Sequence, residues 1–190
     1  RDAIPAAGRA AAPAPRAVIV SFPHNPTTVC ATPALMQRLV DLAREREFVL
    51  VHDFAYADIA FDGHEPPSIL AAEGAKECAV ELYTLTKGFS MAGWRVGFCV
   101  GNAEVVAGLG RLMSYLDYGT FQPIQIAAIT AMKEAPHTPV EVCEVYRSRR
   151  DTLCDGLERA GWSFPRPPRK MVAWAPGPAP FAGRGSLAFA

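Results

Sequence analysis

Short apolar runs alternate along the chain with longer segments of helical periodicity. Four runs rich in β-branched and aromatic residues predict strands, at residues 17–22, 48–52, 79–85 and 94–100. Apolar positions three or four residues apart predict helices, at residues 34–46, 103–115, 122–134 and 138–160. A short helix and a short strand are also predicted, at residues 67–74 and 171–175. This alternation indicates an α/β fold with a mostly parallel sheet, and the uninterrupted first run is typical of a strand buried on both faces.

Composition limits the class of protein. The chain has 190 residues, of which 50% are hydrophobic, enough for one globular domain or slightly more. Nineteen basic and nineteen acidic residues give zero net charge, without a basic patch that would indicate a nucleic-acid partner. No apolar run reaches the ~18 residues of a membrane span. Five cysteines without a CxxC pair favour reduced thiols in a cytoplasmic protein, and the four histidines lack the spacing of metal ligands.

Two predicted strands end in polar residues that can act on a ligand. The first leads into Pro23-His24-Asn25-Pro26, where two prolines present Asn25 on a rigid turn. The second is followed by Asp53, whose carboxylate is costly to bury without a cation, and by Tyr56. Ligands of open α/β sheets bind at this edge. The alternatives are an ordinary turn at Asn25, and a helix-capping Asp53 with a packing Tyr56.

A lysine follows the third predicted strand, in Thr84-Leu85-Thr86-Lys87, and Arg95 comes eight residues later. A lysine amine in a partly desolvated site can form a Schiff base with a carbonyl cofactor. The two threonine hydroxyls and the permanently charged guanidinium can hold a phosphate. Pyridoxal phosphate (PLP) needs that combination of groups. The alternative is a solvated lysine on a hairpin loop.

Taken in order, these motifs resemble the PLP-dependent class I/II aminotransferases of the aspartate aminotransferase fold. The sequence looks most like the glutamate–pyruvate (alanine) aminotransferase branch, through residues 21–28, 51–59, 91–98 and 117–121. The resemblance covers nearly all of residues 17–190. It implies the fold type I of PLP-dependent transferases, with helices on both faces of the sheet.

The resemblance also implies roles for individual residues. Lys87 forms the aldimine with PLP and then carries the proton of the amino-transfer step. The other implied cofactor contacts are Asp53 to the pyridine nitrogen, Asn25 and Tyr56 to the phenolic oxygen, and Thr84, Thr86 and Arg95 to the phosphate. Tyr118 is expected near the substrate or the partner subunit's site. The implied reaction moves an amino group between an amino acid, alanine or glutamate, and a 2-oxo acid, in a cytoplasmic homodimer.

The same resemblance divides the chain into three parts. Residues 1–16 are linker-like and rich in Ala and Pro, residues 17–137 form the C-terminal part of the large PLP-binding domain, and residues 138–190 form an interdomain helix and the start of the small domain. The family's phosphate loop and its arginine for the substrate carboxylate fall outside this sequence, which we expect to be truncated at both ends. The alternatives are a PLP-dependent C–S lyase, a non-catalytic aminotransferase-like domain and an inactive fragment.

Charged residues outside these motifs are expected to be solvated. Asp58 and Asp62 are assigned to solvated or capping positions. Arg147, Arg149 and Arg150 lie on the last long predicted helix, and we expect them on its solvated face with ion pairs.

Overall fold

In the described part of the chain, the sheet has four strands: β1 Ala17–Ser21, β2 Val49–Asp53, β3 Ala79–Thr84 and β4 Gly97–Gly101. They lie in sequence order; β1, β2 and β3 run parallel, and β4 runs antiparallel to β3. This confirms the predicted mostly parallel α/β sheet. The structure is a computed structural model that describes residues 14–168 and 171–181. Most of the predicted linker-like segment and the last nine residues of the predicted small-domain part therefore lie outside the described residues.

The helices are α1 Pro33–Arg46, α2 Ala75–Cys78, α3 Leu85–Gly88, α4 Ala103–Leu116, α5 Gln122–Glu134 and α6 Thr138–Arg159. Two of the long helices begin with a capping side chain. Thr32 accepts a hydrogen bond from the Leu35 N–H at the start of α1, and Asn102 accepts one from the Val105 N–H at the start of α4. No helix in the described part of the chain is both long and apolar enough to span a bilayer.

The core lies between α1 and one face of the sheet. Met36 and Val40 of α1 are fully buried against Leu50 of β2 and Val20 of β1. These side chains recur on α1 with the spacing of one helix face, and on the strands they occupy alternate positions. The core therefore holds α1 across the parallel strands, and the turns that carry the polar residues begin where those strands end.

One face of β1 contradicts the prediction of a strand buried on both faces. Ile19 is 74% exposed, whereas its neighbour Val20 is buried in the α1 core. Successive side chains of a strand point to opposite faces, and β1 lies at the edge of the described sheet. Within residues 14–168 and 171–181, only the face that carries Val20 is covered at this strand.

Three predicted elements differ in the structure. Residues 171–175 form no strand, because a strand needs a neighbour for its backbone hydrogen bonds and the described sheet places none beside them. The predicted helix at 67–74 is a single 3-10 turn, Ile69–Ala71. The fourth strand begins at Gly97 rather than at 94, because Ala92–Trp94 is a 3-10 turn and Arg95 has a left-handed backbone, with φ 52°.

Helix α6 packs against the segment that follows β2, and this corrects the prediction for two charged residues. Arg150 is buried rather than solvated, and its Nη1 donates to Asp62 (2.6 Å) and to the Pro167 carbonyl oxygen (3.1 Å). Asp62 is therefore half of an ion pair rather than a capping or isolated solvated residue. Arg149 is exposed and Arg147 pairs with Glu144 on the surface, as expected.

Candidate active site

The turn after β1 presents Asn25 at the carboxyl edge of the sheet. Two backbone hydrogen bonds close the turn, from the His24 N–H to the Val29 oxygen (2.8 Å) and from the Thr28 N–H to the His24 oxygen (2.9 Å). The Phe22-Pro23 and Asn25-Pro26 peptide bonds are cis. The Asn25 side chain is exposed, so its amide is open to a ligand.

Asp53 is the last residue of β2, directly opposite Ser21 of β1. Its half-buried carboxylate accepts a hydrogen bond from the Ser21 hydroxyl (3.2 Å) and another from the Ala55 N–H (3.2 Å). No basic side chain in the described part of the chain forms an ion pair with Asp53. Two neutral donors orient this carboxylate but leave its charge uncompensated, which fits a cationic ligand. Sequence reasoning missed Ser21, although its place at the end of a neighbouring parallel strand could have indicated it.

Tyr56 and Lys87 meet although 31 residues separate them in the sequence. The Lys87 Nζ lies 5.6 Å from the centroid of the Tyr56 ring. Burial raises the pKa of the Tyr56 hydroxyl, and the negative charge of Asp53 raises it further. This hydroxyl therefore keeps its proton at neutral pH and can donate it in a hydrogen bond. The structure thus brings Asp53, Tyr56 and Lys87 to one edge of the sheet.

Thr84 and Thr86 start the short helix that carries Lys87. The Thr84 hydroxyl caps α3 by accepting a hydrogen bond from the Thr86 N–H (3.2 Å), and it donates to the Val96 carbonyl oxygen (3.1 Å). The two threonine hydroxyl oxygens are 2.8 Å apart. These bonds tie the end of β3 to the segment that precedes β4.

Arg95 lies on that segment, next to Val96, and its side chain is exposed. Among the described residues, the guanidinium donates only to the Ala92 carbonyl oxygen (3.3 Å), which leaves four of its five N–H groups for an anion. Gly97 is needed for close approach, since a Cβ there would overlap the Tyr83 carbonyl oxygen. A Cβ at Gly93, two residues before Arg95, would meet no described atom within 4 Å, so close approach requires a glycine only at position 97 of this pair.

Tyr118 lies apart from this group. Its side chain is 93% exposed in a turn between α4 and α5, where the Gly119 N–H donates to Asp117 (2.9 Å). Within the described residues nothing packs over its ring, so its predicted place near a substrate or the partner subunit's site stays a prediction.

Asp58 is a neighbour of Lys87 that sequence reasoning assigned to a solvated or capping position. The Tyr83 hydroxyl donates a hydrogen bond to its carboxylate, and burial raises the pKa of both side chains. Asp58 packs directly on Gly88, where any Cβ would overlap the carboxylate. The absence of a side chain at position 88 therefore lets Asp58 support the helix that carries Lys87.

The sheet, the strand-end turns and the lysine helix together define a class of protein. The sequence model of the family "Aminotransferase class I and II" matches residues 3–184, and the chain belongs to this family. The fold predicted from the sequence is confirmed by a solved structure of a double mutant of Thermus thermophilus aspartate aminotransferase. The two superpose with a TM-score of 0.76 at 29% identity, over 85% of this chain and 42% of that one.

Two curated relatives narrow the comparison within the family. The chain is 46% identical over 178 residues to glutamate-pyruvate aminotransferase AlaC of Escherichia coli (strain K12). The alignment covers 94% of this chain and 43% of AlaC. It is 42% identical over 175 residues to LL-diaminopimelate aminotransferase of Desulforudis audaxviator (strain MP104C). That alignment covers 92% of this chain and 44% of the relative. The chain spans less than half the length of these relatives.

Proposed function

We propose that Lys87 is the catalytic lysine of a PLP-dependent aminotransferase, which moves an amino group between an amino acid and a 2-oxo acid. One observation carries the proposal. Lys87 sits on α3 directly after β3, and its amine lies over the ring of Tyr56, which follows the neighbouring strand β2. The carboxyl edge of an open α/β sheet is where ligands bind.

The side chains at this edge fit PLP. Asp53, oriented by Ser21 and without a cationic partner among the described residues, suits a protonated pyridine nitrogen. Tyr56 and the exposed amide of Asn25 are donors for the phenolic oxygen. Hydroxyls and a guanidinium are the donors that suit a phosphate, and the residues that supply them are Thr84, Thr86 and Arg95.

Lys87 has two tasks in this proposal. Its amine would hold bound PLP covalently until the amine of the substrate takes its place. In the amino-transfer step, the Lys87 amine would accept and move the proton of the substrate Cα. Bound PLP supplies the electron sink that makes the Cα proton acidic.

We propose alanine and glutamate as the amino donors, because the relative with 46% identity is named a glutamate-pyruvate aminotransferase. LL-diaminopimelate is the competing donor, since a relative with 42% identity carries that name. The predicted homodimer, which rests on the resemblance, and the predicted cytoplasmic location, which rests also on the cysteine pattern, belong to this proposal.

The test is a covalent adduct on one lysine. The purified protein is mixed with PLP, its near-ultraviolet and visible absorption is recorded, and the adduct is reduced with borohydride and mapped by peptide mass. We expect the pyridoxyl group on Lys87, and its loss in Lys87→Ala. Lys76→Ala, which replaces an exposed lysine of α2, serves as the matched control and keeps the adduct.

Turnover is then measured with 2-oxoglutarate as acceptor, and alanine is compared with LL-diaminopimelate as donor. Label distributed over Lys76 and Lys133 instead of Lys87 would refute the assignment of the catalytic lysine. A higher kcat/KM for LL-diaminopimelate would refute the proposed donor.

A further inference from the structure

A buried polar network lies behind the candidate active site, on the opposite face of the strands. His52 precedes Asp53 on β2 and is fully buried, and its side chain points away from that of Asp53. Its Nδ1 lies 2.9 Å from Oε2 of Glu81, the residue directly opposite on β3. Its Nε2 lies 3.0 Å from the carbonyl oxygen of Phe22, at the exit of β1.

Both ring nitrogens of His52 therefore face hydrogen-bond acceptors. The Phe22 carbonyl oxygen can only accept. The Glu81 carboxylate already accepts from the Ser68 hydroxyl (2.9 Å) and from the Ile69 N–H (2.9 Å), so two further donors hold it in place. Such partners place each ring nitrogen to donate a hydrogen bond, Nδ1 to the Glu81 carboxylate and Nε2 to the Phe22 carbonyl oxygen.

This arrangement connects the three strands that carry the site. The Phe22 carbonyl begins the turn that presents Asn25, and His52 is bonded along the chain to Asp53. Glu81 lies on β3, three residues before Thr84 and six before Lys87. The His52 side chain, near the end of β2, thus contacts both the residue that follows β1 and the strand that leads to Lys87.

We propose that His52 is a positioning residue of the cofactor site, which sets the relative places of Asn25, Asp53 and Lys87 by donating hydrogen bonds from both ring nitrogens. This inference rests on the proposed function for its link to PLP. It does not make His52 a catalytic residue, since the ring lies on the face opposite Asp53.

The experiment compares His52→Gln with Ser68→Ala. A glutamine has a single donor nitrogen and cannot span Glu81 and Phe22, whereas loss of the Ser68 hydroxyl weakens the same network without touching the bond to Phe22. We expect His52→Gln to weaken PLP binding about tenfold, and Ser68→Ala to leave it within about twofold. Equal losses in the two variants, at comparable stability against urea, would overturn the proposal.

Two measurements on the cofactor-free protein keep the inference separate from the proposed function. In nitrogen-15 NMR spectra of the imidazole, we expect protons on both ring nitrogens at neutral pH; one bare nitrogen overturns the assignment. In hydrogen exchange, His52→Gln is expected to speed exchange of the His24 and Thr28 amides, which close the Asn25 turn, and Ser68→Ala is not. Unchanged exchange rates of these two amides in His52→Gln would also overturn the proposal.

Should His52→Gln fail to fold, Glu81→Gln replaces it in both comparisons. This variant removes the counter-charge and keeps the side-chain shape, so the imidazole loses the reason to donate from both nitrogens. We expect the same faster exchange in the Asn25 turn; protected amides there would overturn the proposal. If PLP fails to label Lys87 in the unaltered protein, the proposed function fails, and the NMR and exchange results still decide the role of His52.

Discussion

Replacement of Arg150 by alanine is expected to destabilise the fold far more than replacement of its neighbour Arg149. Both arginines lie on α6, but only Arg150 is buried. Its guanidinium lies 4.8 Å from the ring centroid of Phe61 and donates to Asp62 and to the buried Pro167 carbonyl oxygen. The variant removes these three interactions together with the ion pair to Asp151 (2.8 Å), whose loss adds little because Arg147 and Arg166 also lie within ion-pair distance of Asp151.

The magnitude follows from the exposure of each partner. Asp62 is 53% exposed and returns to water when the arginine is lost, so the ion pair contributes only about 1 kcal/mol after screening. The Pro167 carbonyl loses a buried donor, at about 1 kcal/mol, and the contact with the Phe61 ring adds about 1 kcal/mol. We therefore expect a loss near 3 kcal/mol for Arg150→Ala and at most about 0.5 kcal/mol for Arg149→Ala.

The assay is urea unfolding followed by circular dichroism, at neutral and at acidic pH. The hydrogen bond from Arg150 lowers the pKa of Asp62, so the contribution of this pair is present above the ordinary carboxyl value of 3.8 and is lost as the pH falls through the lowered value. At acidic pH, the difference in the free energy of unfolding between the unaltered protein and Arg150→Ala should therefore become smaller. Arg150→Ala and Arg149→Ala within about 0.5 kcal/mol of each other at neutral pH would refute the reasoning.

Three further substitutions test single contacts of the site. Asp53→Asn keeps an acceptor for Ser21 but removes the charge, and we expect PLP affinity to fall about 10- to 100-fold in an absorbance titration; an unchanged affinity would contradict a cationic partner. Ser21→Ala removes only a donor to Asp53, and a smaller loss, about threefold, is expected in the same titration. Asp58→Asn keeps an acceptor for Tyr83. Because burial raises the pKa of Asp58, the unaltered protein should gain stability as the pH falls through that raised value, whereas the asparagine variant should not; equal pH profiles in urea unfolding would exclude this.

The sequence supported the strands and the residues that follow them, because both depend on local patterns. An apolar run predicts a buried strand, and the polar residue at its end is then placed at the sheet edge without further information. Asn25, Asp53 and Lys87 were predicted in this way, and their roles stay a prediction. The prediction of a strand at residues 171–175 was wrong, because the same local pattern forms a strand only where a partner strand is available for its backbone hydrogen bonds.

Pairs between distant residues could not be predicted from such patterns. His52 and Glu81 are 29 residues apart, and Arg150 and Asp62 are 88 apart. Each charge alone is typical of a solvated position, and only the tertiary fold brings its partner close enough to make burial tolerable. Such long-range pairs therefore could not be predicted from the sequence, whereas the placement of polar residues at the strand ends could.

The direction of β4 determines whether Arg95 can serve the site at all. Because β4 runs antiparallel, its first residue Gly97 lies opposite Thr84, the last residue of β3. The segment that precedes β4 is therefore held at the edge where β3 ends, by the bond from Thr84 to Val96. A parallel fourth strand would begin at the opposite edge and leave Arg95 about 20 Å away, the length of β3 at roughly 3.3 Å per residue. The antiparallel strand of the described sheet thus brings Arg95 and the two threonines together in one hairpin, as the proposed phosphate site requires.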